Sequence, residues 1–256
     1  MYAEERQSEI AGDVQSRGRV SVTELAARFS VTGETIRRDL EILQHTGRLV
    51  RVHGGAIRPD IATVVEESDL AERSETRRDD KQAIAAAAVR LIPVDGGSVL
   101  LDAGTTTLAL ARAIHRDTRL TFITNSLQIG TVLADLPNST LLLTGGRVRP
   151  TTGAAVGADA IDSLSRIRAS VGFIGTNGLS VAHGLSTPDA DEAATKRAMI
   201  AACTTTVVLA DSSKLGREDL FSFASLDDID FVVTDSAIDD KLATELRSHQ
   251  IEVLTA

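Results

Sequence analysis

The fold of this chain is decided by the stretch Val31-Thr-Gly-Glu-Thr-Ile-Arg-Arg-Asp-Leu-Glu-Ile-Leu-Gln-His-Thr-Gly-Arg-Leu-Val-Arg-Val-His-Gly-Gly55. Its first half carries the signals of an amphipathic helix that begins after Thr32, a good N-cap residue. Apolar side chains then follow at the spacing of one buried helix face, namely Ile36, Leu40 and Leu43. Gly47 is typical of the position just past a helix end. We therefore predict a helix whose first turns present arginines to solvent.

The second half of the stretch predicts a small hairpin. Residues 48–52 alternate polar and apolar side chains, as a strand does, and run into a turn at His53-Gly54-Gly55. Arg48 and Arg51 both belong to this predicted hairpin. A helix with an arginine-rich start, followed by an arginine-bearing hairpin, is typical of a winged helix-turn-helix that binds DNA.

Two helices are predicted upstream, over residues 3–16 and after Ser21. Ser21 and Glu24 have the spacing of a capping box, which begins a helix that ends at Phe29. Only two residues separate Phe29 from Thr32, as the tight connection of a helix-turn-helix requires. In that geometry the second helix of the pair enters the major groove by its N-terminal end.

This placement predicts the residues nearest to DNA, which are Thr32, Gly33, Glu34, Thr35, Arg37, Arg38, Arg48, Arg51 and His53. We expect Arg37 and Arg38 to divide between a base edge and a phosphate, because arginine can bridge guanine O6 and N7. Alternatively, both could be solvated arginines paired with Glu34 and Glu41 at helical spacing. His53 could be a turn residue only.

The distribution of charge separates the chain into two parts. The net charge is −9, but residues 1–60 contain nine arginines and nine acidic residues, so the whole excess of acid lies in residues 61–256. Exposed charges are screened beyond about 8 to 10 Å, so DNA responds to the local face more than to the total. A neutral, arginine-bearing first part is therefore compatible with specific DNA binding.

Other global features favour a cytoplasmic protein. The single cysteine, Cys203, cannot form an internal disulfide, as expected in a reducing compartment. The polar, acidic N-terminus does not resemble a signal peptide, and no apolar run approaches the roughly 18 to 20 residues that span a bilayer.

The rest of the chain predicts an α/β domain. We expect a DNA-binding domain over 3–58, a linker over 59–78 and a second domain over 79–256. In the second domain, short apolar strands alternate with helices, which indicates a doubly wound, mostly parallel sheet with helices on both faces. The predicted strands are 99–102, 120–124, 140–144, 170–174, 206–210 and 231–234. The helices predicted between and after them are 107–116, 127–135, 157–167, 189–202 and 239–249.

Polar residues and glycines follow five of the six predicted strands, at the ends where doubly wound sheets bind ligands. We expect an effector to bind there, at Asp102, Gly104, Thr105, Thr106, Thr107, Thr124, Asn125, Gly145, Gly146, Arg147, Gly175, Asn177, Gly178 and Lys214. Glycine backbone and threonine hydroxyls at helix starts offer N–H and O–H donors to an anion. Lys214 and Arg147 add positive charge, while Asp102 and Asn125 suit sugar hydroxyls. A small phosphorylated sugar or polyol fits this mixture best, although each feature alone could be a helix cap, a turn or a surface residue.

Catalytic and cofactor signatures are missing from the sequence. There is no Gly-x-Ser-x-Gly, no P-loop and no Gly-x-Gly-x-x-Gly motif, so we expect no cofactor and no enzyme activity. The five histidines are scattered and there is one cysteine, so we expect no metal site. His183 could be a ligand contact or an ordinary loop residue.

Read together, the two parts resemble the DeoR family of bacterial transcriptional regulators over nearly the whole chain. The first part matches that family's signature in Thr35-Ile-Arg-Arg-Asp-Leu40 and Arg51-Val-His-Gly-Gly-Ala56. The second matches in Leu101-Asp-Ala-Gly-Thr-Thr106, Thr124-Asn-Ser126, Gly145-Gly146 and Asp211-Ser-Ser-Lys214. The resemblance implies a sensor domain for phosphorylated sugars and a repressor of sugar-metabolism genes that the effector releases from DNA. It also implies a homo-oligomer, a dimer or tetramer.

The resemblance raises one enzymatic alternative, because that family's sensor fold is similar to ribose-5-phosphate isomerase. The isomerase motif Asp-Gly-Ala-Asp-Glu supplies catalytic carboxylates, whereas the corresponding place here is Gly175-Thr-Asn-Gly178, without a carboxylate. Asp189, Asp191 and Glu192 lie further on and leave isomerase chemistry open. An activator, or a regulator that answers an unphosphorylated metabolite, would share every motif quoted above.

Overall fold

The computed structural model describes residues 3–17, 19–29, 31–45, 48–52, 55–57, 70–94 and 96–256. Contacts between Cα atoms divide the chain into two compact units, Met1–Glu66 and Glu67–Ala256, which we call the head unit and the body unit. The predicted linker 59–78 lies partly outside the described residues. Its described part belongs to the body unit. The predicted domain limits at 58 and 79 stay predictions.

The described part of the head unit contains three helices and a three-stranded antiparallel sheet with strand order β1-β3-β2. Its elements are α1 (Ala3–Arg17), β1 (Arg19–Ser21), α2 (Val22–Phe29), α3 (Gly33–His45), β2 (Val50–Val52) and β3 (Gly55–Ile57). This is the predicted winged helix-turn-helix. The two predicted helix starts are present: the Glu24 amide donates to Ser21 Oγ over 3.1 Å, and the Thr35 amide donates to Thr32 Oγ1 over 3.3 Å.

The core of the head unit lies between the three helices. The predicted stripe of α3 is buried there together with Ile10, Val14 and Leu25. The sheet contains one strand that was not predicted: β1 pairs with β3 and completes the sheet. A Cβ atom on Gly55 would lie 2.0 Å from the Val20 carbonyl oxygen, so the pairing of β3 with β1 requires glycine at this position.

The body unit begins with α4 (Leu70–Glu75), α5 (Arg78–Ala88), β4 (Ser98–Leu101), α6 (Thr105–Ala113), β5 (Thr121–Thr124), α7 (Leu127–Ala134) and β6 (Thr140–Leu143). It continues with β7 (Arg147–Val148), β8 (Ala155–Val156), α8 (Ala158–Ser165), β9 (Ala169–Gly175), β10 (Gly178–Ser180) and β11 (Gly184–Thr187). It ends with α9 (Ala190–Ala201), β12 (Cys203–Leu209), β13 (Phe221–Ala224), β14 (Phe231–Thr234), α10 (Asp240–Ser248) and β15 (Glu252–Thr255).

Seven of these strands form one sheet with the order β15-β14-β12-β9-β4-β5-β6, and every pairing in it is parallel. The chain builds outward from β4 through β5 to β6, and then returns to place β9 on the other side of β4. The strand order therefore reverses between β4 and β9. In doubly wound sheets this switch point is where a crevice opens at the carboxyl ends of the strands.

Alternate side chains of the central strands enter two separate cores, one on each face of the sheet. In β4, Val99 and Leu101 pack with α5, α6 and α7, whereas Leu100 packs on the opposite face with α8, α9 and α10. Phe173 and Ile174 of β9 divide in the same way. The predicted doubly wound α/β fold is therefore confirmed.

Three parts of the body unit were not predicted. The strands β10, β11 and β13 form a small antiparallel sheet, β7 pairs with β8 as a hairpin, and β15 adds a seventh strand beside β14. Of these strands, β7, β8 and β10 are only two or three residues long, which is too short for a periodic pattern to identify them. Among the described residues, no helix combines the length and the apolar character that crossing a membrane requires.

Candidate functional site

The N-terminal turns of α3 form the first candidate site. Arg37 and Glu34 are paired on its exposed surface, with 3.0 Å between Arg37 Nη1 and Glu34 Oε2. Arg38 is also exposed, and within the described part of the chain it has neither a hydrogen bond nor an ion pair. The alternative that the sequence left open, a pairing with Glu34, is therefore seen for Arg37 and not for Arg38. Arg38 has a guanidinium available to a nucleic acid.

Asp39, the next residue, fixes α3 against α1. Its carboxylate is buried and accepts hydrogen bonds from Arg6 Nε over 2.6 Å, from Arg6 Nη2 over 3.2 Å and from Gln7 Nε2 over 2.9 Å. The hydrogen bonds that Arg6 donates to Asp39 raise the pKa of Arg6 against the opposing effect of burial. Sequence reasoning missed this pair, because Arg6 and Asp39 are 33 residues apart.

The remaining predicted DNA contacts lie in the hairpin. Arg48 is exposed just before β2. Arg51 lies in β2 opposite Ala56 of β3, and only its backbone is described. His53 lies outside the described residues. The structure thus brings together Thr32, Gly33, Glu34, Thr35, Arg37 and Arg38 on the first two turns of α3.

The second candidate site is a cavity of about 140 Å³ at the switch point of the body sheet. It opens beyond the carboxyl ends of β4, β9 and β12. Seven of the predicted effector residues line it: Gly104, Thr105, Thr106, Thr107, Gly175, Asn177 and Lys214. Four ionisable residues that sequence reasoning did not place there line it as well: Arg73, Lys81, Glu192 and Lys196.

The cavity lining combines a helix N-terminus with two lysines. It contains the N-terminus of α6, where Gly104 is the N-cap residue and the first intrahelical bond runs from the Leu108 amide to the Gly104 carbonyl over 2.9 Å. The preceding amides of α6 therefore have no helical acceptor, and the helix dipole is positive here. Lys81 and Lys214 line the same cavity, and burial is the main cause that lowers the pKa of each.

The floor of the cavity is a buried ion pair. Lys196 Nζ contacts Asp102 Oδ2 and donates to the Gly175 carbonyl oxygen over 3.0 Å, while the Gly175 amide donates to Asp102 Oδ2 over 3.0 Å. Glu192 Oε1 lies 3.8 Å from Lys196 Nζ, and Glu192 Oε2 contacts Arg149. Asp102 does not itself line the cavity. Its carboxylate binds Lys196 and the Gly175 amide, and it thereby connects the ends of β4 and β9.

The other predicted effector residues do not line the cavity. Thr124 and Asn125 are buried: Asn125 accepts from the Ala103 amide and donates to the Ala155 carbonyl, each over 3.1 Å, so it supports the loop between β4 and α6. Gly145, Gly146 and Arg147 follow β6, and Arg147 pairs with Asp191 of α9. Gly178 lies in β10, where a Cβ atom would come within 2.6 Å of the Arg217 carbonyl oxygen. These residues stay predictions.

His183 and the carboxylates that kept isomerase chemistry open have identifiable partners. His183 Nε2 lies 3.0 Å from the Asp219 carbonyl oxygen, and His183 is not among the residues that line the cavity. Asp189 caps α9, where the Glu192 amide donates to its Oδ1 over 2.8 Å. Of the three carboxylates, only Glu192 faces the cavity. In the described ranges, no group of His, Cys, Asp and Glu side chains is arranged to hold a metal ion.

Comparison with known proteins identifies the chain. Residues 6–62 match the model of the DeoR-like helix-turn-helix domain, and residues 76–236 match that of the DeoR C terminal sensor domain. The chain belongs to the DeoR family of transcriptional regulators. As a member of that family, it is a DNA-binding transcriptional regulator.

Relatives of this DeoR-family regulator are similar over nearly their whole length. It is 36% identical to the HTH-type transcriptional regulator GlpR of Haloferax volcanii over 254 residues, which cover 99% of this chain and 98% of that one. It is 31% identical to the glycerol-3-phosphate regulon repressor of Escherichia coli, with 99% of each chain covered. It is also 31% identical to the HTH-type transcriptional repressor GlcR of Bacillus subtilis, over 99% of this chain and 96% of that one. These relatives support a repressor role.

Among solved structures, ribose 5-phosphate isomerase A of Methanocaldococcus jannaschii overlaps with the DeoR-family chain at a TM-score of 0.41 and 18% identity. The overlap covers 55% of each chain.

Proposed function

We propose that this regulator represses genes of sugar metabolism in the cytoplasm and leaves its operator when a phosphorylated sugar or polyol occupies the body cavity. The observation that carries the proposal is the juxtaposition, in one small cavity, of the α6 N-terminus with Lys81 and Lys214. Helix amides and two ammonium groups together match the charge and the oxygen geometry of a phosphate monoester.

The charge of the cavity favours an anion over a neutral sugar. Arg73, Lys81 and Lys214 line it, and Asp211 is the carboxylate nearest to them in the cavity wall. Residues 61–256 carry the chain's entire acidic excess, so this cationic cluster is a local exception within an acidic part of the chain. Such a cluster in a partly closed cavity attracts anions far more strongly than exposed lysines do.

Three further residues of the cavity lining suit hydroxyl groups. Asn177 offers an amide, Glu192 a carboxylate, and Lys196 an ammonium whose third N–H is not used by Asp102 or Gly175. A ligand with a phosphate at one end and several hydroxyls at the other would use both sets of residues. The name of one relative, a glycerol-3-phosphate regulon repressor, supports a phosphorylated polyol as the class.

The head unit supplies the DNA contacts in this proposal. The N-terminal turns of α3 enter the major groove, Arg38 contacts a base edge, and the Arg48-bearing hairpin contacts phosphates. A single small DNA-binding module buries little surface and rarely reaches specific affinity alone. We therefore expect a dimer or tetramer on a repeated or palindromic operator.

A thermal-melt panel of the purified protein tests the effector. Phosphate esters of common sugars and of glycerol are compared with their unphosphorylated parents. A ligand at a hundred times its dissociation constant should stabilise the protein by about 2.7 kcal/mol. A shift with one ester and not with its parent supports the proposal. A shift with the parent alone favours an unphosphorylated effector, and conversion of an ester to its isomer would restore the enzymatic alternative that Glu192 keeps open.

A further inference from the structure

A short turn between α4 and α5 forms part of the cavity wall. Arg73 and Thr76, at the C-terminal end of α4, both line the cavity, and the buried ammonium of Lys81 binds both of their carbonyl oxygens. The bond to Thr76 O is 2.5 Å long. Lys81 thus does two things at once: it faces the cavity, and it holds the end of α4.

Arg77 makes a second attachment of the same turn. Its φ of 52° and ψ of 43° lie in the left-handed region, which residues other than glycine rarely adopt, so surrounding contacts must hold the Arg77 backbone there. Its Nη1 donates to Ser212 Oγ over 3.1 Å, and its Nε lies 3.8 Å from Asp211 Oδ1. Ser212 begins the turn that carries Lys214, so Arg77 joins α4 to the opposite cavity wall.

Several positively charged side chains surround Lys81. Burial lowers the pKa of Lys81, Asp211 raises it, and the positive charges of Lys214, Arg73 and Arg77 lower it further. The cations therefore repel one another, and Asp80 and Asp211 compensate part of their charge. An anion placed between them would turn this repulsion into attraction, because each cation would then face an opposite charge.

We propose that Arg73–Arg77 is a strap that closes over an anion in the cavity. The inference rests on the proposed function, since it takes the cavity to be the phosphate site. Closure follows from electrostatics: the anion pulls Lys81 and Arg73 toward α6 and Lys214, and the carbonyls bound to Lys81 bring the end of α4 with them. The strap lies at the start of the body unit, on the chain path that comes from the head unit.

Hydrogen exchange of the full-length protein tests the strap, with inorganic phosphate as the probe and chloride at equal ionic strength as the reference. We expect phosphate to slow exchange in residues 70–78 by about fivefold or more, because closing the strap lowers its local opening. The matched variants are Arg77→Ala and Arg78→Ala. Arg78 is the neighbouring arginine, mostly exposed, with Nη1 3.8 Å from Glu75 Oε2.

The results separate the strap from the phosphate site. The strap is supported if Arg77→Ala keeps the melting shift with phosphate but loses most of the protection, while Arg78→Ala behaves like the wild type. It is overturned if phosphate shifts the melting temperature of the wild type without protecting residues 70–78, or if Arg77→Ala is protected as well as the wild type. In either case the phosphate site stands. No melting shift with phosphate or with any ester would overturn the site, and the strap with it.

Discussion

Arg6 of α1 and Asp39 of α3 form a buried, two-point ion pair, with 2.6 Å and 3.2 Å between the guanidinium nitrogens and the carboxylate oxygens. Asp39 directly follows Arg38, the exposed arginine of the recognition helix. The pair therefore sets the rotation of α3 against α1, and with it the direction in which Arg38 leaves the head unit. A buried contact between two helices determines how a neighbouring side chain is presented to DNA.

Breaking this pair should destabilise the head unit. Arg6→Met leaves the Asp39 carboxylate buried, with Gln7 as its only side-chain donor among the described residues, and removal of one partner of a buried pair costs about 3–5 kcal/mol. Hydrogen exchange of the α3 amides measures the loss. Arg17→Met is the control, because Arg17 is mostly exposed and lies 4.0 Å from Asp13, so its removal should change stability by less than about 0.5 kcal/mol. Equal effects of the two substitutions would contradict the role given to Arg6.

Arg38→Ala should weaken operator binding by about 1–3 kcal/mol, the range for loss of a base contact. Fluorescence anisotropy with an operator selected from random DNA measures the affinity. Arg37→Ala is the comparison and should lose less, because Glu34 already engages the Arg37 guanidinium. Operator affinity that stays unchanged in Arg38→Ala would remove α3 as the recognition helix.

Lys214→Met should abolish the response to the effector while DNA binding survives. The substitution keeps an unbranched apolar side chain of the length of the lysine stem and removes one charge-assisted hydrogen bond to the phosphate, worth about 1.5–3 kcal/mol, or roughly tenfold to a hundredfold in affinity. Isothermal titration and operator release are both measured. Lys241→Met, on the exposed face of α10, should leave both unchanged. Normal release by Lys214→Met would place the anion elsewhere.

The Asp102–Lys196 pair should behave as one unit. Each of Asp102→Asn and Lys196→Met strands a buried charged group and should destabilise the body unit by about 3–5 kcal/mol. Together they should cost clearly less than the sum of the two, in a double-mutant cycle followed by urea unfolding. Asp162→Asn, which breaks the exposed Arg166 pair, serves as a surface control. Strict additivity at positions 102 and 196 would mean that the two groups do not interact.

Cys203 should resist thiol reagents in the folded protein. Burial raises its pKa to about 12, so its thiolate fraction at pH 8 is about a thousandfold smaller than that of an ordinary cysteine. Labelling with a disulfide reagent should therefore be slow until the protein unfolds. A Ser248→Cys variant, with its exposed position at the end of α10, should react at once and provides the reference rate. Rapid labelling of folded wild type would contradict the burial of β12 at this residue.

Local signals in the sequence were sufficient for the helices and the central strands. Ser21 and Thr32 cap the helices they were expected to begin, and the apolar stripe of α3 is buried as its spacing indicated. These features depend on residues a few positions apart. The rule that doubly wound sheets bind ligands at the carboxyl ends of their strands also predicted Gly104 and Lys214 as parts of one site, and both line the cavity. This rule depends only on strand direction.

What the sequence could not supply is the order of the strands and the pairing of distant charges. The same rule also selected Thr124 and Gly145, which follow β5 and β6 on the side of β4 away from the switch point. Arg6 and Asp39 are 33 residues apart, and Asp102 and Lys196 are 94 apart. No periodicity in one sequence connects positions so distant, so tertiary packing alone reveals these pairs.

The reversal of strand order between β4 and β9 has a consequence for synthesis on the ribosome. The floor of the cavity joins Asp102 to Lys196, and its lining also includes Lys214, so the cavity cannot assemble until most of the chain has been translated. The core of the head unit, in contrast, is formed by residues that are close in sequence and are translated first. Units of this kind fold early and fast. A nascent chain would therefore carry a folded DNA-binding unit before it has any means of answering a metabolite.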